Sequence, residues 1–303
     1  MGSVLAGLPR EERVAVIRLR SLGDCVLTTP ALDILKRFRP DLRVGVMVEE
    51  RFRAVFQGNS DIERILTPEL AAVRSWRPAL CLNLHGGTRS AWMTALSGAR
   101  WRAGFGHFRH RAAYNVRIPR AQEILGMERT VHTAEHLASA IFYLGAPAGE
   151  IPRAKLVVEA GGSAGRSTAV IHAVASSPEK TWRADGFLAV AEHLKAAGME
   201  PVFIGGAEDD LGPFRAYRTL AGAPLAEIKA LLAGAALFVG NDSGPAHMAA
   251  ALGVPSVVVF GRSDPAIWGP WRTVAKVIQS PDGVAHVKVA DVLDAVAGLR
   301  AAA

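Results

Sequence analysis

The chain has 303 residues, half of them apolar, with a formal net charge of +7 at neutral pH. That is enough for two domains with sizeable cores. Every apolar run is broken by Pro, Gly or charge before it could span a bilayer, and the N-terminus has no basic region ahead of its short apolar patch. Neither a membrane span nor a secretory signal is therefore expected.

The two cysteines, Cys25 and Cys81, lie in apolar surroundings and read as buried thiols in a reducing compartment. No His/Cys cluster has zinc spacing, and no metal site is expected. The charge is uneven. Residues 1–158 carry 23 Lys and Arg against 14 Asp and Glu, and residues 159–303 carry 12 against 14. The excess is densest over residues 100–120. A basic face of this kind suits an anionic partner, and it is equally what a solvated arginine-rich surface looks like.

In chain order, residues 13–20 read as a strand. Residues 30–39 read as a helix with Thr29 as N-cap and Pro30 in its first turn. Residues 43–48 and 62–67 are strands, and 78–85 is a strand entering the Gly86-Gly87 turn. Residues 131–145 form a helix ending at Gly145. Residues 146–167, rich in Gly, Pro and Ala, are the linker candidate. The alternation then restarts, with strand 168–176, helix 186–198, strand 199–206 and helix 225–235. Strand, helix and strand follow within 237–261, and a terminal helix over 289–300. Repeated β-α-β units predict parallel sheets flanked by helices, here in two doubly wound domains.

Ligands of open parallel sheets bind beyond the carboxyl ends of the strands, and four polar stretches fall there. In 237–261, Asp242, Ser243 and Gly244 follow a strand and Pro245 opens a helix. Free N–H groups and the helix dipole make that turn an anion seat. His247, one turn on, can donate to a phosphate or hydroxyl. The same residues serve equally well as an ordinary N-cap. In 18–32, Gly23 and Asp24 follow the first strand. A carboxylate there can take a proton from a bound hydroxyl, or cap a helix. In 176–187, Lys180 can neutralise a diphosphate, or be an ordinary solvated lysine; Ser176 or Ser177 can hydrogen-bond the diphosphate, while Trp182 reads as packing. In 203–210, Glu208 can bind ribose hydroxyls, or simply belong to an acidic first helical turn favoured by the dipole. Neither a dinucleotide fingerprint nor a P-loop is present.

Together, in this order and spacing, the four stretches resemble the ADP-heptose:lipopolysaccharide heptosyltransferases, family 9 of the glycosyltransferases. The resemblance runs nearly the whole chain, from VIRLRSLGDCVLTTPAL to NDSGPAHMAAALGVPSVVVFGRSDPAIWGP. It implies an α/β GT-B fold, two Rossmann-like domains facing across a cleft. Residues 1–158 would bind acceptor and 159–303 would bind the nucleotide sugar, with the terminal helix returning to the first domain. Asp24 matches the family's general base, Lys180 its phosphate-binding lysine and Glu208 its ribose-binding glutamate. Asp242, Ser243, Gly244 and His247 match its donor motif, with Ser176 beside them. Arg18, Ser21 and Gly23 fall on the acceptor side. Asn241 before the aspartate and Ser243 in place of threonine are mild departures.

The implied reaction is inverting and metal-independent. It would move a heptose or related sugar from an ADP-linked donor, without a further cofactor, to an anionic glycolipid of the lipopolysaccharide core. The setting would be cytoplasmic, at the inner face of the inner membrane, with peripheral membrane contact. Two other readings are an epimerase or different sugar transferase on the same fold, and a non-catalytic binder of acidic glycans. Nucleic acid is disfavoured because no recognised binding module is present.

Overall fold

The computed structural model describes residues 3–158 and 167–301. The chain divides into two compact units, Met1–Val157 and Val158–Ala303. In the first, β1 (Arg13–Ile17), β2 (Arg43–Met47), β3 (Arg64–Leu66), β4 (Leu80–Asn83), β5 (Trp101–Phe105) and β6 (Val116–Ile118) form one sheet in the order β3-β2-β1-β4-β5-β6. In the second, β7 (Thr168–His172), β8 (Glu200–Gly205), β9 (Arg218–Ala221), β10 (Leu237–Asn241), β11 (Ser256–Phe260) and β12 (Ala275–Gln279) form another, ordered β12-β11-β10-β7-β8-β9. All pairings are parallel.

Counted from each unit's first strand, both sheets read 3-2-1-4-5-6, the doubly wound order. The order reverses between β1 and β4 in one unit and between β7 and β10 in the other. Just beyond those strands, at their carboxyl ends, such sheets bind ligands. In the central strands β4, β7, β10 and β11 every residue is buried, because helices cover a parallel sheet from both sides. In the second unit, Phe187 and Leu194 of helix Ala184–Ala196 pack with Val292, Val296 and Leu299 over Ile171, Phe203 and Val239. One face of the terminal helix Val289–Ala301 thus packs into the core of its own unit.

The first helix also differs from expectation. It spans Leu22–Phe38, with Ser21 as N-cap and Pro30 in its interior. A proline there takes away the N–H that would bond the carbonyl of Val26. The Thr29 hydroxyl supplies the missing donor, reaching that carbonyl at 2.7 Å. The same hydroxyl accepts from the Lys155 backbone N–H at 2.8 Å. Thr29 is therefore not a cap but the group that lets a helix run through a proline. Its partner Lys155 lies in the stretch read as linker, where Ile151 and Ala154 are also buried. The first part of that stretch packs within the first unit, and residues 159–166 of it lie outside the described residues.

Candidate active site

At the carboxyl end of β1 the chain enters helix Leu22–Phe38, and Asp24 sits in that helix's first turn rather than free at the strand end. Gly23 is helical too, so no left-handed turn requires it. Asp24 is held from two sides. Its Oδ1 lies 3.3 Å from Nη1 of Arg18. Its Oδ2 accepts from the Ser21 hydroxyl at 3.1 Å and, more loosely, from the Ser21 N–H at 3.4 Å. Arg18 is 5% exposed, and burial lowers its pKa while Asp24 opposes that. Arg18, Ser21 and Asp24 therefore form one cluster.

The neighbouring strand across the reversal, β4, ends at Asn83, which is fully buried. Its Oδ1 accepts from the N–H groups of His85 and Gly86 at 2.9 and 3.0 Å. Its Nδ2 donates to Ser90 and to the Tyr114 hydroxyl at 3.1 and 3.0 Å. Every polar position of the Asn83 amide is used to fix the turn that carries His85. Burial lowers the His85 pKa, and the Arg18 cation adds to the effect; the imidazole is neutral at physiological pH.

The second unit repeats the plan. β10 ends at Asn241, whose Oδ1 accepts from the Trp182 N–H at 2.9 Å. Trp182 is buried and donates its indole N–H to the Val287 carbonyl at 3.0 Å, so it packs as expected. Next comes Asp242, 8% exposed, with Oδ2 3.1 Å from Lys180 Nζ. Lys180 ends the short helical turn Pro178–Lys180. It keeps donors beyond the one given to Asp242. Pro245 lies in the first turn of helix Gly244–Leu252, and Ser243 holds its N-cap position without a side-chain capping bond. Its hydroxyl is 3.0 Å from Nδ1 of His172, the last residue of β7. Burial drives the His172 pKa down to about 4, so this ring is a neutral hydrogen-bonding partner. His247 is buried in the same helix.

A third strand end completes the seat. Gly261 directly follows β11, and a Cβ there would collide with the Glu179 carbonyl oxygen and lie 3.3 Å from the Lys180 Cα. Only glycine allows the Lys180 turn to rest against this strand end. Ser176 lies exposed in the loop after β7. Glu208 is exposed in the turn after β8, and that turn is organised by its neighbour Asp209, which accepts from the Gly206 N–H at 2.6 Å.

The structure thus brings Lys180, Asp242, Ser243 and Gly244 together at the reversal of the second sheet, and Arg18, Ser21, Gly23 and Asp24 at that of the first. No group of three or more His, Cys, Asp or Glu suited to a metal ion occurs among the described residues. No described helix is long and apolar enough to cross a membrane. Cys25 and Cys81 are free and buried, each thiol pushed up to about 12 by desolvation.

The sequence profile of glycosyltransferase family 9 (heptosyltransferase) matches residues 72–294. The chain belongs to glycosyltransferase family 9. It is 26% identical over 296 residues to lipopolysaccharide heptosyltransferase 3 of Escherichia coli, with 84% of each chain covered. It is 25% identical to lipopolysaccharide heptosyltransferase 1 of Pseudomonas aeruginosa, over 86% of this chain and 81% of the relative. Among solved structures, a family 9 glycosyl transferase from Veillonella parvula superposes with a TM-score of 0.83 at 20% identity, over 97% of this chain and 98% of its own. The ADP-heptose lipopolysaccharide heptosyltransferase II of E. coli gives 0.81 at 21%, over 95% and 98%. The protein is therefore a glycosyltransferase of GT-B fold.

Within this family 9 enzyme, the sequence did not disclose His172, Asn83 or Gly261, nor what Asn241 does. Two of them have a signal in retrospect. Asn83 and Asn241 each close the fourth strand of a unit with a buried amide that bonds loop backbone, Asn83 in the loop that follows it and Asn241 at Trp182 in the loop after β7. His172 and Gly261 become visible only once the strands are placed side by side.

Proposed function

We propose that this enzyme transfers a heptose, or a closely related sugar, from an ADP-linked donor to an anionic glycolipid of the lipopolysaccharide core, inverting the anomeric centre. The supporting observation is the seat at the reversal of the second sheet, where a lysine, a serine hydroxyl and a helix N-terminus converge. Departure of ADP places negative charge on its terminal phosphate. Lys180 and the amides opening helix Gly244–Leu252 would meet that charge, with the helix dipole adding to them. Asp242 would act as a positioning residue, holding the ammonium group at the seat. Glu208 would reach the ribose, and Ser176 and His247 would contribute donors beside the diphosphate.

On the acceptor side, Asp24 would take the proton of the attacking hydroxyl as that oxygen bonds to the anomeric carbon. The bond from that carbon to the phosphate oxygen breaks on the opposite face, and its electron pair leaves with ADP. Arg18 and Ser21 would fix the carboxylate, with residues 1–158 serving the acceptor and 159–303 the donor. The setting would be the cytoplasmic face of the inner membrane, touched peripherally by the basic N-terminal half. The test is incubation with ADP-heptose and a lipopolysaccharide-core acceptor while following ADP. Release that requires both substrates and yields a heavier glycan is expected. ADP release no faster than donor hydrolysis alone would overturn the reading.

A further inference from the structure

One surface of the first unit takes no part in the chemistry above. Trp92, on helix Thr88–Ala95, is 63% exposed, and Leu96 one turn on is 42% exposed. Trp92 borders a groove of about 510 Å³ whose lining includes Ala91, Ala95, Arg109 and Arg111. Its far wall, the turn Arg111–Ala113, is tied to the helix by a 2.9 Å contact between His110 Nε2 and the Thr88 hydroxyl. Arg109 and Arg111 are exposed and take part in none of the ion pairs among the described residues. Residues 70–122 contain nine arginines and not one Asp or Glu.

An exposed indole costs free energy in water, and a cationic field without acids repels other basic surfaces. Indole and aliphatic groups set among arginines match the layered chemistry of a bilayer interface. There Trp settles at headgroup level and cations pair with lipid phosphates. The geometry points to the Trp92–Arg109–Arg111 groove as the surface through which this protein docks on a bilayer containing anionic phospholipids. This deepens the membrane contact proposed above, and only that contact; it does not depend on which sugar is moved.

The test is co-sedimentation of the whole chain with vesicles rich in phosphatidylglycerol and with vesicles of phosphatidylcholine alone. Binding to the first and not the second is expected. Arg109→Ala with Arg111→Ala should lower binding about 25-fold, at about fivefold per arginine near an anionic surface. The equally charged control, Arg153→Ala with Arg215→Ala, should change it less than about threefold. Trp92→Ala should lower it about tenfold. Brominated lipid should quench an emission component that Trp92→Phe removes, a reading that needs only conservative change.

Equal binding to both vesicles, or binding indifferent to Trp92 and to the two arginines, overturns the proposal. So does Trp92-dependent self-association without lipid, which would assign the groove to a second copy. Turnover on a soluble, deacylated acceptor should be unchanged in Trp92→Ala; a loss there would assign the groove to the acceptor site instead. Vesicle binding needs no donor, so failure of the transfer reaction and failure of docking are told apart.

Discussion

Replacing Asp24 by Asn tests the proposed chemistry at its most exposed point. The amide keeps the shape of the carboxylate and one acceptor, so the 3.1 Å bond from the Ser21 hydroxyl can persist. Two things are lost: a proton acceptor, and the counter-charge 3.3 Å from buried Arg18. Stranding a buried cation costs ~3–5 kcal/mol when its partner is fully enclosed. The Asp24 side chain is 23% exposed, so water shares the load and about 2 kcal/mol is expected. Against a domain stability of ~5–15 kcal/mol, that leaves about 1% of molecules unfolded at most. A general base, by contrast, is worth ~10²–10⁴ in rate. The variant should therefore melt earlier, bind ADP as the wild type does, and turn over at least 100-fold more slowly. Initial rates of ADP release at saturating substrates, calorimetry with ADP and a thermal melt measure the three quantities. If Asp24→Asn keeps more than about a tenth of the rate, Asp24 is not the base.

Gly261→Ala alters no charge, yet its methyl must displace the turn carrying Lys180. ADP affinity should fall about tenfold, as it should in Lys180→Ala, and the two losses should not add because they remove one interaction; additive losses in a titration would contradict this. Thr29→Val leaves the buried Val26 carbonyl and the part-buried Lys155 N–H without the Thr29 hydroxyl and should cost ~2–4 kcal/mol in urea unfolding. Pro30→Ala should recover part of that by restoring an N–H, and a single-variant loss under about 1 kcal/mol would refute the account. His172 has a folded pKa of about 4, below its unfolded value, so the unfolded chain binds more protons between about pH 4 and 6.5. The stability it contributes is complete above that window and lost as pH falls through it, about 3 kcal/mol in all. Urea unfolding of His172→Gln followed at pH 7 and 4.5 should show a smaller loss than the wild type; an equal loss would place the acid sensitivity elsewhere.

The central strands were legible in the sequence because a parallel sheet covered on both faces demands unbroken apolar runs, as in residues 14–17, 169–171 and 257–260. The edge strand β3 was legible too, but β5, β6, β9 and β12 were not. β9 and β12 are largely exposed, β5 carries Arg102, and β6 is only three residues long, too short for its alternation to mark a strand. The first helix was misread because Pro30 normally opens a helix, and nothing local announces that the hydroxyl before it will replace the missing donor. Motif residues such as Asp24, Lys180 and Asp242 to Gly244 could be picked out one stretch at a time. Short-range chemistry, a serine before a helix or a lysine after a strand, is written in neighbouring residues.

The sequence by itself therefore determined the alternation of elements, the two-unit plan and the candidate groups at strand ends. Only tertiary structure decided which groups meet. The order in which parallel strands lie side by side brings Lys180 against Asp242, His172 against Ser243 and Gly261 against the Lys180 turn. Those contacts span tens of residues and depend on which strands become neighbours in the sheet, a condition no single stretch of chain can express.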